Sequence, residues 1–186
     1  SWGPNVARLF CISGHYSKPI DYSEGLLKEN LIRLRQIETC YYELRLAEKI
    51  GETNEISSLL KETRERFDSA LNDDFNTALG LSVFFNMIKI INGLAADERI
   101  TKNIAEQALS VLEYMLEVLG IKIQTASDEE IKSVFELINK REILRGEKRF
   151  DESDKIRDEI ASLGISLIDH KNKTLWMKKE SIKAEK

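Results

Sequence analysis

The stretch KREILRGEKRFDESDKIRDEIASLGISLIDHKNKTLW, residues 140–176, decides how the last third of this chain folds. It opens with a row of basic side chains at helical spacing, namely Arg141, Arg145 and Lys148. A turn containing Gly146 follows, and a second helix is predicted from Asp151, which can cap it, with Asp154 three residues later as in a capping box. Gly164 ends that helix, and short strands are predicted over 165–168 and 174–177.

The second helix has two different faces. Its apolar residues at i, i+4 and i+7 predict a buried stripe, which consists of Ile156, Ile160 and Leu163. The opposite side carries a set of hydrogen-bond donors and acceptors, which consists of Asp154, Arg157 and Asp158. These charges could form a recognition surface. They could equally form solvated pairs within the helix, worth a few tenths of a kcal/mol each.

Composition bounds the rest of the chain. The 186 residues suit one large or two small domains, and 42% hydrophobic with 32% charged residues indicates a soluble globular protein rather than a disordered one. No apolar run of membrane-spanning length and no signal peptide is recognised. Two cysteines are too few for a disulfide scaffold, so a cytoplasmic location is expected.

Charge is distributed unevenly. The net charge is −4, but residues 131–186 hold 14 Lys and Arg against 11 Asp and Glu. Residues 1–130 hold 14 against 21. The acidic part is therefore interpreted as a spacer and the basic part as the contact surface for a partner.

Apolar periodicity and glycine positions predict a mostly α fold, an antiparallel helical bundle followed by a small α+β tip with a two-stranded hairpin. Five helices are predicted before the tip, over about 4–13, 23–50, 56–71, 76–92 and 102–119. A sixth helix is predicted to start after Ser127, whose Glu130 completes a capping box. The fourth is apolar almost all round, so it is predicted to be the central, buried helix.

Residues with catalytic or metal-binding potential are sparse. Cys11 and His15 share a helical face, but a structural zinc site needs four ligands, so no metal site is predicted. The adjacent pair Asp73 and Asp74 is interpreted as a turn and helix cap, with Thr77 three residues after Asp74. Phosphate-binding loops, nucleophile elbows and HExxH motifs are not found, and no catalysis by this chain alone is expected.

Three ordered motifs resemble the cysteine–tRNA ligases, the class I cysteinyl-tRNA synthetases. The start, PNVARLFCISGHY followed by PIDYS, is similar to the segment just after the family's catalytic domain. FDSALNDDFN and the following TAL, residues 67–79, are similar to the Asp-Asp-Phe-Asn-Thr signature of the family's DALR-type helical domain. The end of the chain, from Arg141 to Trp176, resembles the family's C-terminal module.

The chain also departs from the family pattern. Ser17 stands where the family usually has Arg after the His-Tyr pair, and Lys173 stands where it usually has Gly before the hairpin Thr. The HIGH and KMSKS-like motifs and the zinc ligands of the catalytic domain are absent. The resemblance therefore implies the C-terminal, tRNA-binding part of a longer ATP-dependent ligase, with no cofactor in this part and with ATP and zinc belonging to the missing catalytic domain.

The resemblance also implies partners and a site. The partners are tRNA(Cys) and the catalytic domain of the same enzyme, with no membrane and no DNA. Contacts to the inner face of the tRNA and to its anticodon loop are expected, the latter through Arg141, Arg145, Lys148, Asp154, Arg157, Asp169, Thr174 and Trp176. Trp176 could stack on a base or plug the core of the tip, and both readings remain open.

The implied organisation has three parts: 1–22 as a linker and stem-contact segment, 23–125 as the DALR-type bundle, and 126–186 as the anticodon-binding module. Two alternatives remain. If the chain is a protein-interaction bundle, the helix predicted over 23–50 should have an exposed apolar stripe. If the chain binds tRNA, that stripe should be buried in the bundle. The other alternative is a stand-alone regulator derived from a synthetase.

Overall fold

The computed structural model describes residues 2–47, 49–51, 55–97, 99–124, 126–170 and 173–178. The chain forms two compact units, Ser1–Lys122 and Ile123–Lys186, called unit 1 and unit 2 below. Unit 1 contains α1 (Pro4–Ile12), α2 (Glu24–Arg45), α3 (Glu55–Asn72), α4 (Thr77–Ala96) and α5 (Lys102–Leu119). Unit 2 contains α6 (Asp128–Gly146), α7 (Phe150–Ser162), β1 (Ile165–His170) and β2 (Lys173–Lys178). The predicted mostly α class is confirmed.

Local capping explains where several helices begin. The side chains of Ser23 and Thr101 accept hydrogen bonds from backbone N–H groups in the first turns of α2 and α5. Ser127 and Glu130 form the predicted capping box at the start of α6. Pro4 occupies the first turn of α1, where the missing N–H costs nothing.

Unit 1 is built around α2, which packs against α1, α4 and α5, while α3 packs against α4 and α5. The apolar stripe of α2 is largely buried, including Leu27, Leu34 and Ile37. The protein-interaction alternative required this stripe to be exposed, and it is not. Helix α2 ends at Arg45 rather than near residue 50, because the chain turns there and the backbone oxygen of Lys49 accepts from the N–H of Lys102 at 2.9 Å.

The prediction that α4 is buried all round is wrong. Its inner side, with Phe84, Met87 and Ile91, is buried, but Leu79 is exposed and Val83 is half-buried. The reason is that α4 packs mainly on α3 and α2, which cover one side of it. By length and composition α4 is the one helix among the described residues that could cross a membrane, and its contacts with α2 and α3 are those of a bundle helix.

The start of α4 is capped differently from the prediction. The N-cap is Asn76, whose side chain accepts from the N–H of Leu79 at 3.1 Å, and not Asp74. Asp74 and Phe75 instead have left-handed backbone angles, with φ of 51° and 50°. This backbone turns the chain through the α3–α4 connection before the helix starts.

Both ends of unit 1 meet at Asn5. Its buried side chain donates from Nδ2 to the backbone oxygen of Lys122 at 2.8 Å and accepts from the N–H of Lys122 at 3.2 Å. Just before Lys122, Gly120 has φ 66°, and a side chain there would meet the guanidinium of Arg8 at 2.6 Å. The exit from α5 is thereby fixed against α1.

Unit 2 pairs two helices and two strands. Helix α6 packs on α7, and β1 pairs antiparallel with β2, with Leu167 opposite Trp176 and Asp169 opposite Thr174. Gly146 lies inside α6, and the left-handed residue of the α6–α7 turn is Lys148, with φ 61°. The residue with positive φ in the α6–α7 turn is therefore a lysine, and the predicted glycine is helical.

Two local predictions for α7 are wrong. The helix starts at Phe150 with Arg149 at the N-cap and without a side-chain cap, so Asp151 lies in the first turn, where its charge favours the helix dipole. Ile156 and Ile160 are buried as predicted, but Leu163 is exposed, because α7 ends at Ser162 and Leu163 is the cap residue.

Candidate nucleic-acid interface

The centre of unit 2 is an ion pair between Arg141 of α6 and Asp169 of β1. The guanidinium donates from Nη1 to Oδ1 at 2.8 Å and from Nη2 to Oδ2 at 2.9 Å. Arg141 is 1% exposed, whereas the side chain of Asp169 is 44% exposed. The carboxylate is therefore held from the inside by a buried cation and faces solvent with its other side.

Asp169 accepts two further hydrogen bonds. The Thr174 hydroxyl donates to Oδ1 at 3.0 Å, and Arg145 donates from Nη1 to Oδ2 at 2.8 Å. The first contact follows from strand register, because Asp169 and Thr174 are directly opposite each other. With two bonds at each oxygen, the four acceptor positions of this carboxylate are occupied.

These contacts set the ionisation of Asp169. The hydrogen bond from Arg141 holds the pKa of its carboxyl well below the usual range, with help from Thr174 and from the charges of Arg141 and Arg145. Burial acts in the opposite direction and is weaker than the sum of these effects. Asp169 is therefore an anion throughout the physiological pH range.

Arg145 and Arg141 differ in how easily they could be replaced as partners of Asp169. The Arg145 side chain is 45% exposed and makes one hydrogen bond to Asp169, while Arg141 is enclosed and makes two. Exposed ion pairs are worth about 0–1 kcal/mol because water competes for both charges. An incoming polar group could thus exchange with Arg145 but not with Arg141.

Trp176 is a core residue of unit 2. It is 1% exposed, and its ring meets Phe135 edge-to-face, with centroids 5.8 Å apart and planes at 85°. It also lines a 290 Å³ cavity together with Val134 and Ile165. Of the two readings left open by the sequence, this geometry is that of the core plug, since a base could not reach the ring face in this conformation.

The outer face of α7 carries two charged side chains that make no hydrogen bond or salt bridge among the described residues. Asp154 and Arg157 are exposed, and within the described part of the chain neither side chain makes a hydrogen bond or salt bridge. The self-paired arrangement that the sequence left open is therefore not formed by these two residues. Asp154 is near enough to Arg141 for its charge to favour the guanidinium cation.

The predicted site residues thus fall into separate groups. Arg141, Arg145, Asp169 and Thr174 form one network. Lys148 is exposed on the α6–α7 turn, and Asp154 and Arg157 lie on α7. Direct contact with a ligand is open to the exposed members, whereas the buried Arg141, Thr174 and Trp176 support the surface from below.

Sequence reasoning missed the group that fixes the α6–α7 turn. Arg149 donates from Nε and Nη2 to the carboxylate of Glu152, at 2.8 and 2.7 Å, and from Nη1 to Glu147 at 2.8 Å. These bonds raise the pKa of Arg149 and lower that of Glu152. The i, i+3 spacing of Arg149 and Glu152 was the available signal.

Metal binding has no support within the described residues, where no cluster of three or more His, Cys, Asp or Glu side chains could hold an ion. His15 lies 3.7 Å from Asp74 through Nε2, and its Nδ1 is 2.8 Å from the Ser17 hydroxyl. Cys11 is exposed and Cys40 is buried, and both are free thiols.

Known proteins resemble this chain both in one domain and along most of its length. The family model of the DALR domain matches residues 66–124, the end of α3 through α5. Curated relatives include the cysteine–tRNA ligase of Finegoldia magna, 37% identical over 172 residues that make up 92% of this chain and 37% of the relative. The ligase of Geobacillus sp. is 36% identical over 93% of this chain and 38% of its own length. That of Bacillus velezensis is 33% identical over 96% and 39%.

The DALR match and the relatives together indicate the class of aminoacyl-tRNA synthetases. The relatives narrow this class, because all three are cysteine–tRNA ligases and each matches nearly the whole chain. Over nearly its whole length the chain is similar to the cysteine–tRNA ligases. It spans less than two fifths of the length of the curated relatives it matches.

Proposed function

We propose that this chain is the tRNA-binding part of a cysteine–tRNA ligase, and that unit 2 reads the anticodon loop of tRNA(Cys) for cysteine attachment. The observation that carries the proposal is a set of exposed polar groups around a rigidly held carboxylate. Asp154 and Arg157 have no side-chain hydrogen-bond or salt-bridge partner among the described residues, and Asp169 is fixed by buried Arg141. Loop bases are recognised by such side chains at their exposed edges.

Asp154 and Arg157 supply complementary chemistry. A carboxylate accepts from an amino group such as cytosine N4, and a guanidinium donates to the O6 and N7 of guanine. Both side chains leave the same face of a helix that is anchored by buried Ile156 and Ile160. Asp154 and Arg157 can therefore bind a base without first breaking a hydrogen bond or salt bridge within the described part of the protein.

Asp169 works differently, since its four acceptor positions are occupied. It can accept from a base only when Arg145 leaves Oδ2, and the released guanidinium then becomes available for a phosphate or a guanine edge. The cost of this exchange is small because the Arg145–Asp169 pair is exposed. Arg141 and Thr174 remain in place and keep the carboxylate aimed during the exchange.

Electrostatics fits this division of roles. Lys148 and the released Arg145 supply local positive charge for phosphates, although the whole chain carries a net charge of −4. The acidic bundle contacts the inner face of the tRNA by shape and hydrogen bonds rather than by a broad basic surface. Trp176 contributes by holding the hairpin that presents Asp169, and not by stacking.

The proposal is tested by the affinity of the 186-residue chain for the tRNA(Cys) anticodon stem-loop and for loops with one anticodon base changed. Asp154→Asn and Arg157→Gln should each reduce discrimination by about 1–3 kcal/mol, the typical worth of one good base contact. Glu159→Gln is the matched control, since Glu159 is also exposed on α7. If every variant weakens cognate and altered loops equally, unit 2 only clamps phosphates and the assignment is lost.

The activity of the complete enzyme follows from the family and is part of the proposal. Such a ligase would activate cysteine with ATP in its catalytic domain, where zinc is expected, and this chain would position the tRNA for that domain. It would act in the cytoplasm. The 186-residue chain should show no pyrophosphate release with cysteine and ATP, and a burst of release would contradict this division of labour.

A further inference from the structure

Two connections meet at one end of unit 1, residues 13–23 between α1 and α2 and residues 73–76 between α3 and α4. The Tyr16 hydroxyl donates to Asp74 Oδ1 at 2.6 Å, and the Thr77 hydroxyl donates to the backbone oxygen of Gly14 at 3.3 Å. His15 adds a contact to Asp74 at 3.7 Å. The two connections therefore form one surface.

This surface exposes large apolar side chains. Phe75 and Tyr22 are each 71% exposed, Tyr16 is 66% exposed and Ile20 is 38% exposed. We call these four residues the end patch. Single exposed apolar residues are ordinary, but several large ones on two joined loops are the kind of surface that other molecules cover.

The backbone beneath the end patch is strained. Asp74 and Phe75 are consecutive non-glycine residues in the left-handed region, which residues with a Cβ adopt only under strain. Backbone hydrogen bonds from Phe75 to Leu71 at 3.1 Å and from Asn76 to Ala70 at 3.1 Å hold this conformation. This conformation leaves the Phe75 side chain in solvent, 71% exposed.

The charges around the end patch limit what can cover it. The two connections and the first turn of α2 carry four exposed carboxylates and one exposed cation. The carboxylates are Asp21, Glu24, Asp73 and Asp74, and the cation is Lys18. RNA phosphates are repelled by such a surface. A second copy of the same patch is repelled for the same reason. A protein surface with an apolar centre and a Lys or Arg rim is complementary in both respects.

We propose that the end patch docks on the part of the cysteine–tRNA ligase polypeptide that lies outside this chain, with Phe75 as its central anchor. The relatives are more than twice as long as the matched region, and a docking surface on the same polypeptide would act at high effective concentration. Aromatic anchors that are already held in the bound conformation are typical of interface hot spots. The proposal depends on family membership and is independent of anticodon reading.

The test compares amide hydrogen exchange in the isolated 186-residue chain and in a full-length ligase. The full-length protein is the Finegoldia magna enzyme with its matched region replaced by this chain. Peptides covering 13–23 and 70–78 should exchange at least tenfold more slowly in the full-length protein. Equal exchange rates in the two proteins would overturn the proposal.

Variants separate docking from folding. Phe75→Ser should abolish the added protection, and Phe75→Gly should do the same while leaving the melting temperature of the isolated chain unchanged or higher, because glycine relieves the positive φ. Leu163→Ser is the control, since Leu163 is equally a large exposed apolar residue but lies in unit 2. Loss of protection in this control but not in Phe75→Ser would refute the assignment.

Other occupants give different results. Protection of the same peptides in the isolated chain on adding tRNA(Cys) would assign the end patch to RNA. Protection that grows with the concentration of the isolated chain would assign it to a second copy. Either result overturns the proposal, and neither depends on whether Asp154 and Arg157 read the anticodon, because that is measured with the stem-loop alone.

Discussion

Removing the charge of Asp169 should destabilise unit 2 more than removing the charge of Arg141. Asp169→Asn leaves a guanidinium that is 1% exposed without its anion. Breaking a buried pair in this way costs about 3–5 kcal/mol, because the remaining charge stays out of water. Arg141→Met leaves instead a carboxylate whose side chain is 44% exposed and still accepts from Thr174 and Arg145.

The expected cost of Arg141→Met follows from the bonds it removes. Two charge-assisted hydrogen bonds, each worth about 1.5–3 kcal/mol, are lost, but solvent screening of half-exposed Asp169 reduces their net value. Methionine also eliminates the buried Nε of Arg141, which has no hydrogen-bond partner among the described residues. The net cost should be about 2–3 kcal/mol, below that of Asp169→Asn.

The assay is urea unfolding followed by tryptophan fluorescence in a Trp2→Phe background. Trp176 is then the only tryptophan and reports on unit 2. The double variant should cost less than the two single variants added together, because it leaves no unpaired charge. If Arg141→Met costs as much as Asp169→Asn, or if both cost less than about 1 kcal/mol, the buried guanidinium is not what holds the hairpin.

Four further outcomes are expected. The folded-state pKa of Asp169 is depressed, so its stabilising contribution is present above the ordinary Asp pKa of about 4 and is lost as pH falls below it. The free energy of unfolding, measured as a function of pH, should show this loss in the parent and not in Asp169→Asn. Trp176→Ala should destabilise unit 2 by about 3–5 kcal/mol, and a folded tip with weaker stem-loop binding would restore the stacking role. Lys148→Gly should raise stability by about 1 kcal/mol through relief of its positive φ, yet weaken all RNAs equally and flatten the salt dependence; unchanged salt dependence would remove Lys148 from the phosphate contacts. Gly120→Ala should lower the stability of unit 1 by at least about 1 kcal/mol, because the new methyl group meets Arg8 and φ is unfavourable; calorimetry showing no change would contradict this.

Features governed by neighbouring residues could be predicted from the sequence. The capping box of Ser127 and Glu130 and the span of α5 depend on side chains within one or two turns, and both agree with the structure. The mostly helical class follows from the same local periodicity. Here local preference and tertiary packing favour the same conformation.

Features set by distant residues could not be predicted in the same way. Arg141 looked like part of an outward basic row, but its partner Asp169 lies 28 positions away and draws it into the interior. Phe84 and Leu79 are both apolar positions of the helix predicted to be buried, yet Phe84 is buried and Leu79 is exposed. Periodicity identifies which residues can be buried, and the arrangement of the other helices decides which of them are.

Local alternatives caused the remaining differences. Asn76 and Asp74 are both good caps, and the choice depended on Asp74 being engaged by Tyr16 across 58 positions. Asp151 was available as a cap, but the N-cap is Arg149, two residues earlier, whose guanidinium pairs with Glu152 and Glu147. For Asp74 the deciding contact comes from a distant residue, whereas for Asp151 it lies within the adjacent turn.

The paired hydrogen bonds between Asn5 and Lys122 also have a mechanical consequence. They bring the entry and exit of unit 1 together across 117 positions of sequence. A pull applied along the polypeptide would load these two bonds first, while the helices between them stayed outside the line of force. For the same reason, lengthening a connection between α2 and α5 would leave the separation of Asn5 and Lys122 unchanged. Unit 1 can therefore vary in length during evolution without altering the distance spanned by the chain that passes through it.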